Sequence, residues 1–215
     1  EEDAEYANRK GFSKHRPALP LFTEADAVAA LRQFRSVDHD RWFKPAGLAA
    51  LFHNAGHILG SAFLEVVTPA DGSGDIVIVF SGDVGRYGAP LHCDPEELPP
   101  CDTLVLESTY GDRLHDTTPL IDQIRAPFRE AIARGGVILI PAFAVARAQL
   151  VTLLLTKLIE SGDLPSIPVH IDSPMAVDVT ETYLGHLRTD ELDALSGSSG
   201  RLFPRDVSFH RTVEE

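Results

Sequence analysis

The sequence predicts an α/β protein, and three observations carry that prediction. Short apolar runs bounded by Gly, Asp and Pro occupy residues 48 to 109, the pattern of strands and tight turns. Amphipathic stretches of 12 to 15 residues then alternate with short apolar runs from residue 118 to 187. That helix–strand–helix–strand–helix order favours a parallel sheet in the second half. The shift in pattern near residue 111 sets an expected boundary between residues 1–111 and 112–215.

Taken in order, residues 1–9 read as a helix rich in Glu, Asp and Ala that ends near Gly11, and "KHRPALPLF" (14–22) as an extended Pro-rich segment. Thr23 is placed as an N-cap for "EADAVAALRQF", with Glu24 and Asp26 suiting the positive end of the helix dipole. Strands are expected at Leu48–His53, Ser61–Thr68 and Asp75–Ser81, the last two joined by the hairpin turn in "PADGSGD". A further short strand is expected within Asp102–Thr109. Thr118 is expected to cap a helix with Pro119 at its first position, and Pro127 to kink or break it. A strand at Val137–Ile140, a helix at Ala146–Glu160, a strand at Val169–Asp172 and a helix at Pro174–Leu187 follow. In the second of these helices, Leu150, Val151, Leu154, Leu155 and Leu158 share one face. "SGSSG" from Ser196 reads as a loop, and the last fifteen residues give little signal.

Composition narrows the function classes. With 215 residues, 44% hydrophobic and 24% charged, the chain is in the globular range. No apolar run reaches the length of a membrane span, and the charged opening "EEDAEYANRK" is unlike a signal peptide. The expectation is a cytoplasmic protein with no membrane partner. A net charge of −13 argues against a general polyanion-binding surface but leaves room for a local basic cleft. Cys93 and Cys101 lack metal-binding spacing and read as surface thiols.

Three polar residues stand at the carboxyl ends of expected strands, where functional groups gather in layered α/β proteins. They are His57 in "LFHNAGHILGSAFLEV", Asp83 after "IVIVFSG" and Glu107 at the end of "TLVLE". One imidazole and one carboxylate suit zinc or a similar divalent metal. Each also has an ordinary structural reading: a core or surface histidine, an Asp that closes its own turn, and a salt-bridged or capping Glu. His53 alternates with the strand interior and reads as a packing residue or one that supports a ligand.

The wording of four ordered motifs goes further. "NAGHILGSAFLEV", "VFSGDVGRYGAPL", "LVLESTYGDRLH" and "GGVILIPAFAVARAQLV" closely resemble the β-CASP branch of the metallo-β-lactamase superfamily. That branch contains ribonuclease J and the mRNA 3′-end-processing endonuclease, and the likeness runs from residue 1 to about 190. The resemblance implies part of a metallo-β-lactamase αββα sandwich followed by the first part of a parallel β-CASP α/β domain. It makes His57 a zinc ligand, makes Asp83 a bridge between two zinc ions, and has Glu107 support a histidine that acts near the leaving group. Glutamate followed by Ser-Thr-Tyr-Gly is like the RNA-acting members, whereas DNA-repair relatives usually carry aspartate.

Arg147 stands where the family's Gly-Arg-Ala-Gln motif opens a helix, with Ala146 in place of the glycine and Leu150 in place of a frequent glutamate. It would contact substrate phosphate or tie the two domains together. Ser173 in "HIDSPMA" would cap the helix at Pro174, whose N-terminus is also a place for a phosphate.

The family's His-x-His-x-Asp-His signature does not occur in these residues, nor do its later histidines. The segment therefore reads as the middle of a longer protein. The function expected of that parent is zinc-dependent hydrolysis of single-stranded RNA, with this segment inactive alone; a homodimer is compatible with that expectation. The competing readings are a non-catalytic scaffold subunit, a DNA-acting β-CASP nuclease and a small-ester hydrolase.

Overall fold

The computed structural model describes residues 1–70, 74–186, 192 and 201–211. They fall into two compact units, Glu1–Asp38 and His39–Glu215. The first holds helices α1 (Glu2–Lys10) and α2 (Glu24–Leu31). Gly11 ends α1 in the left-handed conformation and donates its N–H to the Ala7 carbonyl. Thr23 caps α2 as expected: its hydroxyl accepts from the Asp26 N–H, while the Asp26 carboxylate accepts from the Thr23 N–H. The helix stops at Leu31, three residues short of the expected Phe34.

The second unit is built on a four-stranded sheet in the order β1 (Ala49–Asn54), β2 (Ala62–Ala70), β3 (Gly74–Phe80), β4 (Thr103–Val105). The first two pairings are antiparallel; β3 and β4 run parallel. Register places His53 opposite Phe63 and Leu64 opposite Phe80, and β2 and β3 pair up to Ala70 and Gly74. Residues 71–73 of the expected hairpin turn lie outside the described residues. Ala55, Phe63 and Val79 form the buried side of this sheet.

Three helices follow: α3 (Leu120–Ala133), α4 (Arg147–Glu160) and α5 (Pro174–Gly185). Strand β5 (Val169–Asp172) precedes α5 and pairs in parallel with β6 (Val207–His210). Ile121, Ile124, Phe128 and Ile132 recur along one side of α3 and pack on Leu155 and Leu158 of α4. A second core gathers Leu91, Leu153, Tyr183 and Leu202, with Ile58 and Leu59 against it. Helix α4 thus has apolar neighbours on two sides, and Gln149, Thr152 and Thr156 are buried with its leucines. The expected single apolar face is too narrow a description.

Several expectations are corrected. Val137–Ile140 forms no strand; Val137 and Leu139 are almost fully exposed, and no described strand pairs with the run. An apolar run becomes a strand only when a ladder partner satisfies its backbone. The strand expected in Asp102–Thr109 is confined to three residues, because β3 supplies partners only for Thr103 to Val105. Thr118 does not cap α3; its N–H donates to Asp116, and Pro119 takes the cap position. Pro127 does not break α3, which continues to Ala133 with one main-chain hydrogen bond fewer. Strand β6, unforeseen, arises from its pairing with β5. The "SGSSG" loop and Leu187 lie outside the described residues, among which no helix is long and apolar enough to cross a membrane.

Ala146, at the entrance of α4, has φ 62° and ψ −44°, and the Arg147 N–H donates to the Val145 carbonyl at 2.7 Å. A bond across one residue with positive φ is the rarer of the two γ-turns, strained for any residue with a Cβ. Such strain costs about 1–3 kcal/mol, and this conformation lies outside the αL basin that non-glycine residues occasionally occupy. Glycine would forfeit one buried methyl, about 0.8 kcal/mol, and some chain entropy, about 0.4–1 kcal/mol. At the middle of these ranges strain relief is the larger, by a small margin. Ala146→Gly is expected to stabilise the chain by about 0.5 kcal/mol, raising the urea midpoint; a lowered midpoint would show that the turn is relaxed with alanine.

Candidate metal centre

Two loops meet at the ends of β1 and β3, and backbone contacts join them. After β1, the Asn54 side chain accepts the Gly56 N–H at 2.8 Å, turning the chain sharply. Ser61 Oγ then accepts the N–H groups of His57 and Ile58 at 3.0 and 3.1 Å, and the Ala55 N–H donates to the Ser61 carbonyl. The His57 backbone is therefore fixed on both sides of the turn. Gly56 has φ 63°, and a Cβ there would lie 2.7 Å from the Cys93 carbonyl oxygen and from Pro95 N. Only glycine fits at that position.

The second loop leaves β3 through Ser81, Gly82 and Asp83. Ser81 is 1% exposed and its N–H donates to the Val105 carbonyl, extending the β3–β4 contact. Its hydroxyl accepts the Glu107 N–H at 2.9 Å and donates to the Gly82 carbonyl at 2.8 Å. Gly85 donates its N–H to the Ala55 carbonyl at 2.7 Å, which locks the two loops together. A Cβ on Gly85 would sit 2.0 Å from the Gly56 carbonyl oxygen, inside any permissible contact.

This clamp brings His57 Nε2 to 4.0 Å from Asp83 Oδ2, with both side chains open to solvent. A divalent ion about 2.0–2.2 Å from each donor would draw them to a separation of roughly 3.4 Å. Rotation of two exposed side chains covers that difference. One neutral imidazole nitrogen and one carboxylate oxygen form a donor pair suited to zinc, and they supply two of the four ligands a closed zinc site uses. The residues present fit the metal as far as they go.

Glu107 lies beside the pair and holds its loop. One carboxylate oxygen accepts the Val84 N–H at 2.6 Å and the other accepts the Thr109 hydroxyl at 2.9 Å. The Val84 amide, above all, holds this carboxyl below the usual glutamate range; partial burial opposes the shift, and Thr109 and the nearby His57 reinforce it. Glu107 thus anchors the residue that follows Asp83, a direct structural role.

Arg147 and Ser173 are not joined to this cluster by any hydrogen bond or ion pair among the described residues. Arg147 is exposed at the start of α4. Ser173 Oγ accepts the Ala176 N–H, so its hydroxyl serves as a helix cap. Residues that sequence reasoning passed over include Ser61, Ser81 and Gly85, whose spacing from His57, Glu107 and Asp83 was visible but whose contacts are non-local. Tyr183 is another: its hydroxyl lies 2.8 Å from His92 Nε2 and 3.5 Å from the Leu59 N–H, linking α5 to the stretch after His57.

His53, four residues before His57, is engaged at both ring nitrogens. Nδ1 lies 3.0 Å from Glu96 and Nε2 2.9 Å from Glu65, while the ring stacks on Phe63 at 4.6 Å. Burial works against its charge, but the two carboxylates outweigh burial and raise its affinity for a proton.

Two predictions test the clamp. Gly85→Ala is expected to cost about 2–3 kcal/mol, as overpacking against a fixed backbone does, and to weaken zinc binding in the same variant; unchanged urea and zinc titrations would show that the loop contact holds nothing in place. Glu107, with its folded pKa depressed, adds stability that is present above the ordinary glutamate value and lost as pH falls through the folded value. The stability gap between the parent chain and Glu107→Gln should therefore be widest near neutral pH and close in acid. Unfolding curves measured from pH 7 down to pH 3 check this, and a gap independent of pH would refute it.

No family model matches the chain. Individual relatives do. Ribonuclease TTHA0252 of Thermus thermophilus is 35% identical over 167 residues, covering 76% of this chain and 37% of that protein. An RNase J-like protein of Methanocaldococcus jannaschii is 38% identical over 146 residues, 63% of this chain and 32% of the relative. The cleavage and polyadenylation specificity factor 73 of Drosophila melanogaster is 30% identical over 171 residues, 76% of this chain and 24% of its own length. The chain spans between about a quarter and somewhat more than a third of the length of these relatives. With its mixed sheet, its glycine-clamped His57 and Asp83 loops and this kinship, the chain belongs to the β-CASP branch of the metallo-β-lactamase superfamily.

Proposed function

We propose that this segment carries part of the metal centre of a metal-dependent hydrolase that cleaves RNA phosphodiester bonds. The observation that carries the reading is the His57–Asp83 pair, 4.0 Å apart on two loops that glycine contacts lock together. The names of the relatives, ribonucleases among them, supply the substrate class. Zinc is the metal best matched to an imidazole and a carboxylate, with two ions in the longer protein and further donors from outside these residues. When bound, such ions neutralise charge on phosphoryl oxygens and make a water nucleophilic near neutral pH.

The chain's own residues have definable roles in that reading. His57 presents Nε2 and Asp83 presents Oδ2 from backbones that cannot drift apart. Glu107 keeps the Asp83 loop in place through the Val84 amide and supports the histidine that assists the leaving group. Arg147, whose guanidinium is exposed, is the group offered to a substrate phosphate, which it can bind bidentately. Ser173 is the weaker candidate because its hydroxyl already caps α5, leaving the α5 N-terminus itself for a phosphate. The substrate is proposed to be single-stranded RNA in the cytoplasm, with a division near residue 111 between the lactamase-like and β-CASP-like parts.

The test uses the longer protein that contains this segment, a labelled single-stranded RNA and added zinc. His57→Ala and Asp83→Ala are each expected to reduce cleavage by more than the roughly 10–100-fold that loss of a supporting partner costs, and a chelator to abolish it. Cleavage that survives both substitutions would refute the assignment. A parent protein that binds RNA without cutting it, with zinc present, would establish the scaffold reading instead.

A further inference from the structure

A second cluster of metal-ligating groups lies around His53. Asp40, His53 and Glu96 each offer one donor atom, and the three atoms lie within 4.8 Å of one another. A single ion at about 2.0–2.2 Å from each would draw them to separations of roughly 3.4 Å, a closure that the exposed Asp40 side chain can supply. We propose that Asp40, His53 and Glu96 form a divalent-cation site, with Glu65 as the residue that orients the histidine.

Four features of the geometry support it. Glu65 takes His53 Nε2 at 2.9 Å, which leaves Nδ1 as the nitrogen facing Glu96 at 3.0 Å. A carboxylate on one ring nitrogen with the other turned to the ion is the usual arrangement of a metal-bound histidine. The ring cannot rotate away, because it stacks within 10° of parallel on buried Phe63. Glu96 is held by its other oxygen, which accepts the Asn54 N–H at 2.8 Å. Asp40, an exposed side chain, is set in place by its N–H, which donates to the Phe52 carbonyl at 3.1 Å.

Charge points the same way. Asp40, Glu65 and Glu96 bring three negative charges to one imidazole, so even a protonated ring leaves this foursome two charges short of neutrality. A doubly charged ion on Nδ1, Asp40 and Glu96 takes the place of the Nδ1 proton and brings the foursome to a net charge of −1, closer to neutrality than the −2 of the protonated ring, with Nε2–H still donated to Glu65. One nitrogen and two carboxylate oxygens are donors that zinc and manganese both accept. The occupant that competes for Nδ1 is a proton donated to Glu96, with the Nε2–H donated to Glu65 in either case.

The inference does not rest on the proposed hydrolase activity, and the test keeps them apart. The 215-residue chain with His57→Ala and Asp83→Asn lacks the ligand pair of the first candidate site, and adding His170→Gln removes the His170–His210 pair as an alternative. Titrated with zinc alone, and with cobalt(II) as a spectroscopic probe, this variant is expected to bind one equivalent and to show a nitrogen- and oxygen-ligated cobalt spectrum. Adding His53→Gln should abolish that binding, Glu96→Gln should weaken it strongly, and Glu65→Gln should weaken it by about 10–100-fold. Circular dichroism and urea unfolding verify that each variant is folded; if His53→Gln is not, Asp40→Asn, at the exposed ligand, decides in its place. No binding by the background variant overturns the proposal. So does binding that survives removal of His53 or, in its place, Asp40, and so does an effect of these substitutions on stability alone.

Discussion

The structure around the site depends on a backbone contact in which side chains have no part. Ala55 and Gly85 share a hydrogen bond, and the two loops approach so closely that a single added carbon on Gly85 would collide with the Gly56 carbonyl. Strands β1 and β3 are not neighbours in the sheet; β2 lies between them. Loops leaving non-adjacent strands have no ladder to hold them side by side, so the contact has to be made where both have already left the sheet. Glycine at 85 permits it, and glycine at 56 admits the separate close approach of the Cys93 and Pro95 backbone. His57 and Asp83 inherit their separation from that constraint, which explains how two exposed side chains can still be preorganised.

A polar network does the same for the other side of the site. Ser81 is buried and fully used: its hydroxyl takes the Glu107 N–H and gives its own proton to Gly82. Glu107 binds back through Val84, so that the ends of β3 and β4 are joined twice after their ladder has stopped. An ionised carboxylate accepting a backbone N–H is among the stronger hydrogen bonds a protein makes. A glutamate placed this way fixes geometry in its resting state, and its charge also adds to the negative potential that favours a cation nearby.

What could be read from the sequence was what the sequence decides locally. The Thr23 cap of α2, the Gly11 terminus and the Ser173–Pro174 start of α5 each depend on residues within a few positions, and all three formed as the pattern indicated. The order of strands and helices was legible for the same reason. Pairing was not. Val137–Ile140 has the composition of a strand and stays unpaired among the described residues, whereas Val207–His210, with little to mark it, is a strand because β5 lies alongside. The site divided along the same line. His57, Asp83 and Glu107 stood out as polar residues at strand ends, but the hydroxyls of Ser61 and Ser81 and the carboxylates on His53 act across distances in sequence that no local pattern encodes.

Ala146 shows where motif and physics meet. The family pattern has glycine at this position, and the backbone here adopts a positive φ that explains why. Keeping alanine means that the entrance to α4 is held against its own preference by what surrounds it: the Arg147–Val145 bond, the Leu150–Ala146 bond and the packing of Ala146 with Leu153 and Tyr183. Tyr183 is also the residue whose hydroxyl reaches His92 and Leu59. The strained turn and the stretch following His57 therefore lean on the same buried side chain. Through this one side chain the turn at the start of α4 and the stretch that follows His57 share a support, so packing in the helical half of this unit bears directly on the candidate metal centre.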